Sequence, residues 1–160
     1  EFDGVFDRNN MVFAVAIAII IADQLTKYFI RTNMQLHESI PAEGRFRLSY
    51  STNSGSVFGL DLDSTFLLIM APIVIIAILW LYFFYLPAAG RLIRIGFGLL
   101  LGGAVGNLID RVRDGAVTDF IDVRLWGNYH WPSFNVADAA ITTGIVIFVY
   151  YFLREARNIR

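Results

Sequence analysis

The chain has 160 residues, a formal net charge of −1, a hydrophobic share of 56% and a mean hydropathy of +0.56. A soluble domain is usually about 45–50% apolar, so the excess points to lipid as the solvent. The near-zero charge without a basic stripe gives no sign of a nucleic-acid partner, and the lack of cysteine excludes disulfides, thiol catalysis and thiolate metal sites.

Residues 1–10 carry little information. The first apolar segment, about residues 11–30, opens with twelve apolar residues and then admits Asp23, Gln24, Thr26 and Lys27. Its length, mixed leading charges and polar far end argue for a permanent helix rather than a cleaved leader. The second segment, about residues 66–86, is apolar throughout, with Pro72 one turn in. The third, about residues 92–109, is rich in glycine, and the fourth, about residues 136–153, holds Asp138 near its start. A bilayer core asks for about 20 apolar residues, and all four segments fit, the third and fourth barely. The expectation is an all-α membrane protein: one integral unit over residues 1–160, with four transmembrane helices, a small extracytoplasmic β-sheet and an interfacial loop.

Four spans place both termini on one side. The termini side carries Arg8, Arg91, Arg94, Arg154, Arg157 and Arg160. The other side carries Lys27, Arg31, Arg45, Arg47, Arg111, Arg113 and Arg124, so the positive-inside count is six against seven. Four of those seven lie among acids that can pair with them, which leans toward cytoplasmic termini. In the loop at about residues 31–65, Phe46, Leu48 and Tyr50 alternate with polar residues at strand period, and Asn53-Ser54-Gly55 follows as a turn signal. The loop at about residues 110–135 carries Trp126, Tyr129 and Trp131, which favour the headgroup level, so it is expected to lie flat on the interface.

An ionisable group at the centre of a membrane helix costs at least about 2.5–3.5 kcal/mol and is a functional candidate by default. Asp138 follows Asn135 by three positions, which by itself reads as a helix start with Asn135 as N-cap. The same position suits a carboxylate that meets a second one. Asp119, among apolar neighbours, is the natural partner; the alternative is a solvated loop acid paired with Arg113 or Arg124. For Asp122 that solvated reading is favoured. Two carboxylates about 3 Å apart share one proton. The ionised member then activates a water, and the protonated member donates to the carbonyl under attack. Such hydrolysis needs no metal or cofactor, and none is expected. His37 and His130 read as interface residues, and no His-Glu-x-x-His motif occurs.

Gly98, Gly102 and Gly106 form small-xxx-small pairs for close helix packing. Asn107, Asp110 and Arg111 follow at helical spacing, and Asp110 with Arg111 reads as a structural network at the start of the next loop. Asp23 and Lys27 are an i,i+4 pair, favoured as a helix-end salt bridge.

Five blocks then occur in order: Asp23-Gln24-Leu25-Thr26-Lys27, Asn53-Ser54-Gly55-Ser56-Val57-Phe58, Gly102 to Arg111, Val117-Thr118-Asp119-Phe120, and Phe134-Asn135-Val136-Ala137-Asp138. Together they resemble the bacterial lipoprotein signal peptidases, or type II signal peptidases, over nearly the whole chain. The resemblance implies a four-helix inner-membrane aspartyl endopeptidase with cytoplasmic termini and a small periplasmic sheet. It would remove the signal peptide of prolipoproteins before a cysteine that carries diacylglycerol. By motif position Asp119 and Asp138 would be the catalytic dyad. Asn53, Gly55, Asn107, Arg111 and Asn135 would shape the site and hold substrate, with Asp23 and Lys27 in support. Lipid-modified prolipoproteins and membrane lipids would be the partners, and a monomer is the expectation. Ser56 and Val57 depart from the pattern, which more often has two alanines there.

On the residues alone, two rivals stay open. One is a serine–lysine peptidase using Lys27 with Ser54 or Ser56, although Asp23 beside Lys27 opposes the required loss of charge. The other is a small transporter whose buried acids form an ion path, although no repeat is present. A presenilin-type aspartyl protease lacks its Gly-x-Gly-Asp signature here.

Overall fold

A computed structural model describes residues 2–57, 60–61, 63–85, 90–127 and 129–158. In chain order these form α1 (Phe2–Asn33), β1 (Ser39–Ile40), β2 (Phe46–Asn53), β3 (Ser56–Val57), β4 (Leu60–Asp61), α2 (Ser64–Tyr85), α3 (Arg91–Asp114), β5 (Val117–Trp126), β6 (Tyr129–Phe134) and α4 (Val136–Asn158). Among the described residues four helices are long and apolar enough to cross a membrane. Phe58, the end of the Asn53 block, lies outside the described residues.

α3 is the central helix, packed against each of the other three. Lipid removes the hydrophobic drive between helices, so close approach must come from small residues. Gly98 and Gly102 face α1: a Cβ on Gly98 would stand 2.6 Å from the Val15 Cβ, and one on Gly102 2.8 Å from the Ala16 carbonyl oxygen. Gly103 faces α4, where a Cβ would stand 2.5 Å from the Ala137 carbonyl oxygen. Backbone cannot yield as a side-chain tip can. Gly103→Ala is therefore expected to destabilise the bundle by about 1–3 kcal/mol, the usual range for overpacking. A lower thermal unfolding midpoint in detergent is the readout, and an unchanged midpoint would mean that α3 and α4 are not in this contact.

The expected strand at residues 46–50 is present as part of β2. The expected flat loop at residues 110–135 is not a loop. α3 continues to Asp114 and stops at Gly115, whose left-handed φ of 71° lets its N–H reach the Arg111 carbonyl. The chain then forms the antiparallel hairpin β5–β6, and the four-stranded sheet runs in the order β1-β2-β5-β6. Strand pairing satisfies backbone groups that a flat loop would leave to water or lipid. Trp126 and Tyr129 stack near the turn at 5.0 Å between ring centroids.

Below the sheet, Ile30 and Met34 at the end of α1 pack against Phe120. Asp122, expected as a solvated partner of Arg113 or Arg124, is instead buried on β5. The register sets Arg47 of β2 opposite it, and Arg47 Nε donates to Asp122 Oδ2 at 2.8 Å. His130 Nδ1, on β6, lies 2.7 Å from Asp122 Oδ1. His130 is thus a strand-bracing residue as well as a surface one. Burial pushes the Asp122 carboxyl up, but the hydrogen bonds from His130 and Arg47 outweigh it and hold it below the usual range. A depressed carboxyl stabilises the fold above its unfolded pKa, and that contribution is lost as pH falls through the folded value. Wild-type protein is therefore expected to unfold above Asp122→Asn at pH 7, with the two thermal midpoints converging on acidification. A constant gap at all pH values would show that the brace does not act through charge.

Candidate active site

The sheet and the start of α4 meet over the end of α3, and the polar sequence motifs gather there. Alternation along β5 sends successive side chains to opposite faces. Thr118 and Phe120 turn toward α1, where Arg31 donates to the Thr118 hydroxyl at 3.0 Å. Val117 and Asp119 turn the other way and line a cavity of 1010 Å³. Asp138, in the first turn of α4, lines the same cavity.

Asp138 is held by a capping box. The Asn135 side-chain oxygen accepts the Asp138 N–H at 2.9 Å, and Asp138 Oδ2 accepts the Asn135 N–H at 3.2 Å. The helix-start reading of these two residues is therefore correct, and it leaves Asp138 Oδ1 to accept from Asn107 Nδ2 at 2.8 Å. Asn135 Nδ2 in turn donates to Asp119 Oδ1 at 2.8 Å. Asn53 also hydrogen-bonds the Asp119 side chain from the neighbouring strand, while its own Oδ1 accepts the Gly55 N–H at 3.1 Å. Gly55 thus closes the turn that orients Asn53. Burial first, and then the charge of Asp138, raise the Asp119 carboxyl to about 7.

The polar groups beneath are more deeply buried than a helix-end salt bridge would be. Asp23, Lys27 and Asp110 are each 0% exposed. Lys27 Nζ reaches Asp23 Oδ2 at 2.8 Å, Asp110 Oδ2 at 3.1 Å and Asn107 Oδ1 at 3.0 Å, which uses all three ammonium donors. The two carboxylates it holds each clamp a backbone N–H: Asp110 Oδ2 takes that of Thr118 at 3.0 Å, and Asp23 Oδ1 takes that of Ala137 at 3.0 Å. Asp119 and Asp138 are the next residues along. Gly106 makes room for this arrangement, since a Cβ there would lie 2.7 Å from Asp23 Oδ2.

Asp110 belongs to the expected structural network, with Gln24, Arg31 and Arg113 also at its carboxylate. Arg111 also faces Asp110, though more weakly than it faces the two cavity carboxylates. Its side chain lines the cavity, its Nε is buried without a hydrogen-bond partner among the described residues, and its charge faces Asp138 and Asp119. The far wall of the cavity is apolar, with Leu67, Met70 and Val74 of α2 and Ile141 of α4. Asp119 and Asn53 also border a second cavity of 340 Å³ whose wall includes Ser51, Ser54 and Ser133. The site therefore stands between an apolar chamber and a hydroxyl-lined one. Pro132 and Ser133, which border both cavities, carry no motif in the sequence. Only the strand register brings β6 to this edge.

No cluster of histidine, aspartate or glutamate able to hold a metal occurs among the described residues. What the arrangement can supply is a pair of carboxylates in a mostly apolar chamber, with an arginine facing both.

The family profile described as Signal peptidase (SPase) II matches residues 15–154. The lipoprotein signal peptidase of Desulforapulum autotrophicum is 45% identical over 146 residues, covering 87% of this chain and 89% of its own. That of Moorella thermoacetica is 42% identical over 143 residues, covering 89% of this chain and 92% of its own. A bacterial membrane enzyme solved by the in meso method superposes with a TM-score of 0.85 at 30% identity, over 94% of this chain and 92% of that one. Sequence match and shared fold agree along almost the whole length, and the chain belongs to the signal peptidase II family.

Proposed function

We propose that this chain is an aspartyl endopeptidase of the bacterial inner membrane, cutting prolipoproteins just before a diacylglyceryl-modified cysteine with a water held between Asp119 and Asp138. Family membership supports the coarser part, removal of signal peptides from prolipoproteins. The observation that carries the finer part is the shared cavity, where buried Asp119 and half-buried Asp138 are linked through Asn135 and Asn107 beside an apolar wall.

In this reading the acyl chains lie along the apolar wall, and their binding energy places the scissile amide between the carboxylates. The ionised aspartate takes a proton from water as the water oxygen bonds to the carbonyl carbon. The protonated aspartate gives its proton to the carbonyl oxygen, leaving a gem-diol. As the C–N bond breaks, the first aspartate passes its new proton to the leaving nitrogen, and a gem-diol hydroxyl returns one to the second. Arg111 faces the charge that develops. Asn53 and Gly55 hold one wall and Asn107 and Asn135 the other, above the Asp23–Lys27 support. The termini lie in the cytoplasm, the sheet lies on the outer face, and the enzyme works as a monomer among lipids.

The test is a synthetic precursor with a diacylglyceryl cysteine, incubated with the purified chain and followed by mass spectrometry. The expected product begins at the lipidated cysteine, and the unlipidated peptide is cleaved far more slowly. Equal cleavage of both peptides, or cleavage elsewhere, would overturn the substrate assignment.

The raised Asp119 carboxyl gives a pH dependence. A carboxyl lifted to about 7 keeps its proton below that pH and loses it above. Cleavage is expected to fall as pH rises through about 7, and the fall is the readout. A rate that holds level well into the alkaline range would mean that no protonated carboxyl is required.

A further inference from the structure

The two carboxylates of the site are not held alike, and the difference begins at Lys27, an ammonium that the hydrolysis itself does not use. Lys27 has only donors, so the Asn107 atom it meets must be the amide oxygen. Asn135 Nδ2 supplies a second donor to that oxygen at 3.2 Å. The amide is thereby fixed, and its Nδ2 must face Asp138 Oδ1 as a donor at 2.8 Å. A fixed donor at that point favours a carboxylate over a carboxylic acid. The other Asp138 oxygen accepts the Asn135 backbone N–H. Both contacts lie at the N-terminal end of α4, where the helix dipole favours negative charge. Asp119 has side-chain amides from Asn135 and Asn53, but it stands on a strand with no helix terminus behind it.

We propose that Lys27, acting through Asn107 as a positioning residue, commits Asp138 to be the ionised aspartate that deprotonates water and leaves Asp119 to carry the shared proton. This assignment rests on the paired-aspartate reading above. The other charged groups facing Asp138 are Asp23 from α1, Arg111 from α3 and Asp119 from β5, while α2 presents apolar side chains. Arg111 faces both aspartates, Asp138 more strongly than Asp119, and so favours the same choice. Asp23 is ion-paired to Lys27, whose opposite charge acts more strongly on Asp138. The elevation of Asp119 by burial and by the charge of Asp138 agrees with the assignment.

The test uses the full chain in lipid nanodiscs with carbon-13 at the aspartate carboxyls. Asp119→Asn reports the titration of Asp138, and Asp138→Asn reports that of Asp119. Asp138 is expected to titrate at least about one pH unit below Asp119. Adding Asn107→Ala to the Asp119→Asn chain leaves Lys27 with Asp23 and Asp110. It should raise the Asp138 midpoint by about one pH unit, as expected when a donor to the charged form is lost. Equal or reversed midpoints, or an Asp138 midpoint that ignores Asn107, would overturn the proposal. Failure of the paired-aspartate reading shows elsewhere, as cleavage of the lipidated precursor by either single asparagine variant.

Discussion

Asp138→Asn and Asp119→Asn are each expected to lower cleavage of a lipid-modified precursor by about 10²–10⁴-fold, the range for removal of a positioned acid or base. Asparagine keeps the volume and planar shape of aspartate. At position 138 its side-chain oxygen still accepts the Asn135 N–H, so the start of α4 remains capped. At position 119 the backbone pairing of β5 with β2 is untouched. What each variant loses is the ability to exchange a proton. In the proposed pair the two groups act as a unit, so the double variant should be little worse than either single one. The measurement is turnover of the precursor beside a thermal unfolding midpoint, which should stay close to wild type for Asp119→Asn and fall modestly for Asp138→Asn, whose amide nitrogen meets the Asn107 Nδ2 donor. A single variant within tenfold of wild type would remove that residue from the pair.

Lys27→Met should have the largest effect on stability. Lys27 is fully buried against two carboxylates that are themselves fully buried. Methionine fills a similar volume but leaves Asp23 and Asp110 without their shared cation. Removing one partner of a buried ion pair typically costs about 3–5 kcal/mol, because the remaining charge stays desolvated. Arg31 and Arg113 reach Asp110 at 3.6 and 3.3 Å, so Asp23 is the more exposed to this penalty. The loss spreads to both halves of the site, since Asp23 clamps Ala137 and Asp110 clamps Thr118. Adding Asp23→Asn to Lys27→Met removes one stranded charge and should recover part of the unfolding midpoint. A Lys27→Met protein as stable as wild type would mean that the cluster is not a closed ion network.

Much of the membrane architecture was legible along the chain because it depends on local composition. Runs of apolar residues as long as a bilayer is thick read as helices whatever they pack against, and the period-2 pattern around Tyr50 marked β2. Asn135 and Asp138 were legible as a capping pair because the box spans only three positions. The five ordered blocks pointed to the family for a related reason, since residues that carry chemistry keep their spacing along the chain.

What failed in the sequence reading failed where partners are distant. Asp122 was assigned to Arg113 or Arg124, the nearest cations along the chain. Its true partners are Arg47, 75 positions away on β2, and His130 on β6. Asp23 and Lys27 read as a helix-end salt bridge because i,i+4 spacing shows a shared face, not what covers that face. Only the packing of α1 on the glycine face of α3 puts them in the interior. The aromatic loop proved to be a hairpin because the pairing of β5 with β6 satisfies backbone groups that side-chain preference does not address. Composition and motif order thus determined the membrane class, the helices and the candidate aspartates. The tertiary structure alone decided that Asp119 and Asp138 share a cavity, and that Lys27 ties both to one buried network, because hydrogen bonds and ion pairs across 80 positions and more exist only once the helices have packed.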